Sequence, residues 1–137
     1  GFWPVESGTE YYYGERASQA YQIRKMFDAG LSIGISTDFS VSPLAYSPAS
    51  MVIGVAASGG GRPDLHAPIS IRDMIQGLTV GSAATTGFSD TGTLEVGYKA
   101  DMVVFDRDLY AVRPEDFSAS YPKLLATFIG GQASFSS

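Results

Sequence analysis

The chain has 137 residues, 45% of them hydrophobic, and a formal net charge of -5 with only 9 Lys and Arg. This length and apolar content can fill one core. The scattered basic residues form no stripe that could neutralise phosphates or dock on anionic lipid, so we expect neither nucleic acid nor a membrane as a partner. With no Cys and 1 His, the chain forms no disulfide and cannot assemble a thiolate or His-rich metal centre unaided.

The sequence carries no sign of a targeting or membrane segment. No apolar run approaches the roughly 20 residues of a membrane-spanning helix, and no signal-peptide pattern opens the chain. It begins at Gly1 and continues at once with Phe2, Trp3 and Pro4, an opening that predicts a chain cut from a longer protein. The compartment therefore stays open, with the cytoplasm favoured.

The first thirty residues predict irregular structure followed by a helix. Residues 1–13 mix aromatic side chains with Gly, Pro and Ser and are expected to be irregular. The three tyrosines at 11–13 are expected to pack against a neighbouring element, with the lining of a ligand pocket as the alternative. Residues 15–29 repeat apolar side chains at three- and four-residue spacing, which predicts a helix that stops at Gly30.

Residues 31–36 predict a short buried strand that leads to a carboxylate. Leu31, Ile33 and Ile35 alternate with small residues, as in a strand with one crowded face. Asp38 follows at the carboxyl end, where ligands collect in α/β sheets and barrels, and a desolvated carboxylate there needs a cation or hydrogen-bond donors. We therefore interpret Asp38 as a functional residue. The alternative is that Asp38 caps the turn through its own loop amides.

The middle of the chain predicts a helix and a loop without a chemical motif. A helix over 49–57 would complete one strand-loop-helix unit. Gly59, Gly60 and Gly61 lack the spacing of a phosphate-binding P-loop, so a flexible loop is favoured. His66 lies between two prolines without a second ligand at metal-binding spacing, so a solvated or turn-bonded imidazole is expected instead of a metal ligand.

A capped helix follows this loop. Ser70 and Asp73 form a Ser-x-x-acid pair that predicts the helix start, and residues 71–79 carry one apolar face. Residues 81–87 are rich in Gly, Ala, Ser and Thr and predict a break followed by a short helical turn. The small side chains there would let neighbouring elements approach closely.

The last third of the chain predicts β structure. Residues 102–105 are apolar and predict a buried strand. Residues 123–129 and 132–135 predict two strands joined at Gly130-Gly131, because Gly supplies the positive φ angles of a two-residue turn. The expected fold class is therefore α/β, with a β-rich end.

Three blocks of this sequence carry a family resemblance. They are Gly14-Glu-Arg-Ala through Asp28-Ala-Gly to Ser36-Thr-Asp-Phe-Ser-Val-Ser-Pro; Thr79 with Ala83 and Ala84; and Gly92-Thr-Leu-Glu-Val-Gly-Tyr-Lys-Ala-Asp-Met-Val-Val-Phe-Asp, closed by residues 127–131. Together they resemble the C-terminal part of the metal-dependent amidohydrolases, most closely the amidohydrolase 3 branch. The third block is the strongest signal because its glycines, acid and Ala-Asp pair have the family's spacing.

The resemblance implies both a fold and a reaction. Residues 1–88 would form the last strand and helices of a (β/α)8 barrel, and residues 89–137 the C-terminal strands of an accessory β-sandwich. The implied activity is hydrolysis of non-peptide carbon-nitrogen bonds in small amides or cyclic amides. Asp38 matches the strand 8 aspartate, which in the family contacts a divalent metal and takes a proton from the metal-bound water. Zinc is the expected metal, with the other ligands outside this chain, and a homo-oligomer is an expected assembly.

Two departures from the family pattern bear on loop shape and substrate choice. Ser40 stands where the branch usually has Pro, and Gly-Tyr-Lys replaces the commoner Gly-Lys-x before Ala100-Asp101. A competing interpretation is a non-catalytic remnant that binds small molecules or dimerises through the aromatic segment. An upstream reading frame encoding His-x-His after a strand would favour the enzyme.

Overall fold

The structure is a computed structural model that describes residues 9–20, 22–36, 67–111 and 122–136. The described residues form a small α/β arrangement, in which the α-helices precede a three-stranded antiparallel sheet and a short 3-10 helix, Leu109–Ala111, lies between the first two strands. The predicted α/β class is therefore confirmed at this level. In the described ranges, no helix is long and apolar enough to cross a membrane.

The N-terminal helices are shorter and more broken than predicted. Helix α1 spans Thr9–Tyr13, a 3-10 helix spans Gly14–Gln19, and helix α2 spans Ile23–Asp28. The irregular prediction for 1–13 is thus wrong over α1, and the single helix predicted over 15–29 is wrong at its centre. Ala20 is extended, and polar side chains satisfy the carbonyls beside the break. The Ser18 hydroxyl donates to the carbonyl of Glu15 at 2.9 Å, and the Gln22 amide donates to the carbonyl of Ser18.

Residues 31–36 form neither a helix nor a strand in the structure. Gly30, with φ of +72°, ends α2 as predicted. This segment contacts the helix that contains Gly77. Within the described ranges, no strand pairs with it. The predicted burial is confirmed at Ile35, which is 8% exposed, and wrong at Leu31, which is 58% exposed.

A long helix over residues 71–86 organises the helical part. It consists of helix α3, Ile71–Gln76, then a π-helical segment, Gly77–Gly81, then helix α4, Ser82–Thr86. Ser70 caps it as predicted: the Asp73 amide donates to Ser70 Oγ and the Ser70 amide donates to Asp73 Oδ2, both at 3.1 Å. The predicted break at Gly81 is wrong, because the helix widens into a π turn there and continues.

The core lies where residues 31–36 cross the long helix. Ile35, Ile69 and Met74 are its buried members. Partly buried side chains surround them: Ile23, Phe27, Ile33, Ile71 and Leu78. The apolar face predicted for 71–79 is therefore confirmed at Ile71, Met74 and Leu78, whereas Thr79 is exposed. We call this contact between residues 31–36 and the long helix "the crossing".

The sheet has strand order β1-β2-β3, with β1 at Met102–Phe105, β2 at Leu124–Ile129 and β3 at Gln132–Ser136. Both pairings are antiparallel, and the turn between β2 and β3 uses Gly130 and Gly131 at φ of +56° and +80°. The predicted hairpin is confirmed.

The predicted burial of β1 is wrong in this structure. Val103 and Val104 are 57% and 42% exposed. Val103 borders an open cavity of about 980 Å³ that separates β1 from the long helix. An apolar strand is buried only where another element covers it. In the described part of the chain, Val103 faces this cavity and not a covering element.

Polar contacts join β1 to the hairpin at both of its ends. Before β1, the Gly130 amide donates to Asp101 Oδ1 at 2.7 Å, and the Gly131 amide donates to the carbonyl of Ala100 at 2.8 Å. After β1, the Asp106 amide donates to the carbonyl of Lys123 at 3.0 Å, and the Lys123 amide donates to Asp106 Oδ1 at 2.9 Å. The acids that flank β1 therefore act in folding.

Candidate active site

The predicted site residue, Asp38, lies outside the described residues. His66, the glycines at 59–61 and the helix predicted over 49–57 lie outside them as well. The structure does describe the approach to Asp38, residues 31–36, and the elements that hold this segment in place. The crossing is therefore the described part of the candidate site.

Three glycines let the two backbones of the crossing approach each other closely. A Cβ atom on Gly81 would collide with the carbonyl oxygen of Ile33, and one on Gly34 would collide with Thr85 Oγ1. A Cβ on Gly77 would lie 2.5 Å from Ile35 Cδ1. Real Cβ contacts do not reach such distances. At Gly81 the obstacle is backbone, so a side chain there would push the segment away from the helix. At Gly34 and Gly77 the nearest atoms belong to side chains, which would have to move aside.

Hydrogen bonds fix the register of the crossing at Ile35. The Ile35 amide donates to the carbonyl of Gly77 at 3.0 Å. Ser82 Oγ lies 3.0 Å from the carbonyl oxygen of Ile35 and 2.7 Å from that of Gly77. The close packing predicted from the small residues of 81–87 is thus confirmed, but sequence reasoning missed that its partner is the segment before Asp38.

Charged side chains of the described residues form surface pairs and hydrogen bonds. Arg24 lies 2.9 Å from Asp28 and 3.6 Å from Asp73. The Arg107 side chain donates two hydrogen bonds to Asp106, and with the Lys123 amide it lowers the pKa of Asp106 from 3.8 to about 2. A carboxylate held ionised in this way stabilises the fold and is a poor proton acceptor near neutral pH.

Within the described ranges, no cluster of metal-ligand side chains is found, and Tyr11 and Tyr12 lie in solvent. Among these residues, no three His, Cys, Asp or Glu side chains are grouped so that they could hold a metal ion. The rings of Tyr11 and Tyr12 make an edge-to-face contact at 5.1 Å, and the residues are 86% and 78% exposed. The predicted packing of these two rings against another element is therefore wrong here.

Comparison with known proteins decides the family. A model described as the amidohydrolase family matches residues 2–135. The chain belongs to the amidohydrolase family. The resemblance carried by the three sequence blocks is therefore confirmed.

Individual relatives in this amidohydrolase family have two kinds of name. Imidazolonepropionase of Bacteroides fragilis is 29% identical over 92 residues, which are 66% of this chain and 20% of that protein. Imidazolonepropionase of Fusobacterium nucleatum is 31% identical over 84 residues, 61% of this chain and 19% of that protein. The 5-methylthioadenosine/S-adenosylhomocysteine deaminase of Natronomonas pharaonis is 31% identical over 98 residues, 72% of this chain and 22% of that protein.

The amidohydrolase chain thus spans about a fifth of the length of these curated relatives. No solved structure gives a significant match. Family membership is established, and the reaction of the complete protein is a matter for proposal.

Proposed function

We propose that the complete protein containing this chain is a hydrolase of non-peptide carbon-nitrogen bonds, with small amides or cyclic amides as substrates. The match to the amidohydrolase family over residues 2–135 carries the proposal. The names of the relatives, imidazolonepropionase and a deaminase, support small molecules as the substrate class.

Asp38 is proposed as the proton acceptor of this reaction. A carboxylate beside the attacking water can take its proton and then pass that proton to the leaving amine, which would otherwise depart as a poor leaving group. The position of Asp38 two residues beyond the segment 31–36 supports this role, because that segment is bonded to the long helix through Ile35.

A divalent ion, with zinc expected, would supply a water of lowered pKa when it is bound. Asp38 is the proposed ligand from this chain. A catalytic zinc normally has three protein ligands, and the described residues hold no group of three. The other ligands would come from the rest of the complete protein.

We also propose that residues 1–88 contribute to a (β/α)8 barrel and residues 89–137 to a β-sandwich. The division is supported by the change at this point from helices to an antiparallel sheet. It is also supported by the exposed apolar side chains of β1, since a second sheet could cover them.

The substitution Asp38→Asn in the complete protein tests the proposed role. Asn keeps the size of the side chain and loses its basicity, so turnover of a cyclic amide should fall at least about a hundredfold while bound metal is largely retained. Asp28→Asn is the matched control, because Asp28 is exposed at the end of α2 and pairs with Arg24. Its turnover should stay within about threefold of the parent.

The outcomes of this experiment separate the role of Asp38 from the activity itself. Turnover of Asp38→Asn within a few-fold of the parent would return Asp38 to a turn-capping role. Failure of the parent to hydrolyse any member of a panel of amides, cyclic amides and aminopurines, with metal present, would refute the hydrolase. Metal content is measured by elemental analysis on the same samples.

The non-catalytic alternative is favoured by one observation, the exposure of Tyr11 and Tyr12. Exposed aromatic rings are common anchors of protein interfaces. Replacing both by Ser and measuring the mass by light scattering tests it. A dimer that dissociates on this change, in a protein without hydrolase activity, would support an assembly module.

A further inference from the structure

The π-helical segment Gly77–Gly81 has a specific effect on the crossing. In a π turn the amide bonds to the carbonyl five residues earlier, and this one-residue bulge displaces carbonyls from their α-helical positions. A displaced carbonyl is open to donors from outside the helix. Here the carbonyl of Gly77 accepts the Ile35 amide at 3.0 Å, so the π segment bonds directly to the segment that precedes Asp38.

Ser82, the first residue after the π segment, completes this connection. Its hydroxyl has one proton and lies within hydrogen-bond distance of two carbonyl oxygens, those of Gly77 at 2.7 Å and Ile35 at 3.0 Å. Its single proton is shared in a three-centre hydrogen bond, with the shorter contact to Gly77 within the helix and the longer one to the segment. Together with the amide bond, it holds the backbone of Ile35 through both its N–H and its C=O.

This double contact fixes both the position and the direction of the chain at Ile35. One hydrogen bond alone would leave the segment free to rotate about it, whereas bonds on the two sides of one residue define an orientation. The glycines of the crossing show that the segment already lies close against the helix, since an added Cβ at Gly81 would meet the carbonyl oxygen of Ile33. Asp38 follows three residues after Ile35.

We propose that Ser82 is a positioning residue for Asp38: its hydroxyl, bridging Gly77 and Ile35, sets the direction in which the chain leaves the long helix toward the catalytic carboxylate. This proposal rests on the proposed function of Asp38. In this proposal Ser82 acts without contacting the substrate or the reacting water. Its effect reaches them through the backbone of residues 35–38, and a displacement of about 1 Å at a proton acceptor can cost about a hundredfold in rate.

Two substitutions at Ser82 and one control test the proposal in the complete protein. Ser82→Ala removes the bridge. Ser82→Thr retains the hydroxyl. Thr86→Ala is the control, because Thr86 also bonds a carbonyl by its hydroxyl, at 2.7 Å from Ser82 O, but within its own helix. For each variant we would measure kcat, KM, the pH profile of kcat/KM, and hydrogen exchange in the peptide that covers 33–36.

The positioning role predicts a distinctive set of results. Ser82→Ala should lower kcat at least tenfold, keep KM within threefold, shift the acid limb of the pH profile and speed exchange at 33–36. Ser82→Thr and Thr86→Ala should both stay within threefold of the parent in kcat.

Several results would overturn it. Unchanged exchange at 33–36 in Ser82→Ala would show that the hydroxyl does not hold the segment. Faster exchange with unchanged kcat would show that the crossing does not position the carboxylate. Equal impairment of Ser82→Thr and Ser82→Ala would show that packing, not the hydroxyl, matters. A parent protein without hydrolase activity would refute the proposed function and, with it, the positioning role of Ser82. The exchange data would still show whether the Ser82 hydroxyl holds residues 33–36 on the helix.

Discussion

Gly81→Ala sets two physical effects of opposite sign against each other. In a helix interior, Ala is more favourable than Gly by about 1 kcal/mol, so helix propensity alone predicts a more stable protein. The added Cβ, however, would collide with the carbonyl oxygen of Ile33 across the crossing. That oxygen belongs to the backbone, so the collision cannot be relieved by rotating a side chain.

The cost of relieving the collision follows from what the crossing holds together. Moving the segment away from the helix breaks the Ile35 amide bond to Gly77 and the Ser82 contact to Ile35, at about 1 kcal/mol each. It also exposes part of Ile35, now 8% exposed, at about 1 kcal/mol for half of its burial. After the gain in helix propensity, a net loss of roughly 2 kcal/mol remains.

Hydrogen exchange in the peptide covering 33–36 measures this loss locally. If the segment exchanges through local opening, roughly 2 kcal/mol corresponds to about thirtyfold faster exchange. Ala84→Gly is the control, because Ala84 is exposed on the same helix and the change costs helix propensity while it removes an atom beside residues 31–33 instead of adding one. Exchange at 33–36 that is unchanged or slower in Gly81→Ala would refute the close approach of the two backbones.

Three further predictions address the caps and the sheet. Ser70→Ala should cost about 1 kcal/mol in thermal unfolding, and Ser70→Asn, which still caps, should recover most of it; equal losses would contradict the observed capping box. The folded-state pKa of Asp106 is lowered from 3.8 to about 2, so its contribution to stability is present above about pH 4 and is lost as the pH falls toward 2. Asp106→Asn should therefore flatten the acid end of the stability profile, and an unchanged slope in denaturation scans would count against the Arg107 and Lys123 contacts. Val104→Asp should lower the free energy of unfolding only slightly in this chain alone, where Val104 is 42% exposed. In the complete protein the loss should reach several kcal/mol if a second sheet covers β1. Equally small losses in both proteins would argue against the sandwich.

Local signals in the sequence predicted local structure well. Ser70 and Asp73 are three residues apart, so the capping box depends on almost nothing beyond its own turn. The Gly130-Gly131 turn is equally local. Gly81 shows the opposite case: a glycine amid small residues predicted a break, whereas its role is to admit the carbonyl of Ile33, far away in the sequence.

Burial was the least predictable property, because it depends on what covers a segment and not only on its own residues. The apolar run of β1 predicted a buried strand, but Val103 and Val104 are largely exposed in this structure. The segment 31–36 likewise has strand-like alternation without a partner strand in the described ranges. The role of Asp38 stays a prediction, since this residue lies outside those ranges.

The strand order of the sheet also has a consequence for synthesis in the cell. Strands β2 and β3 are joined by a two-residue turn and can pair within microseconds once both are free of the ribosome. Strand β1 is made before β2, the strand that pairs with it in the sheet. At 5–20 residues per second, the wait is on the order of seconds. During that time Val103 and Val104 lack the strand that pairs with them, so this apolar segment stays open to non-native contacts until β2 has been made.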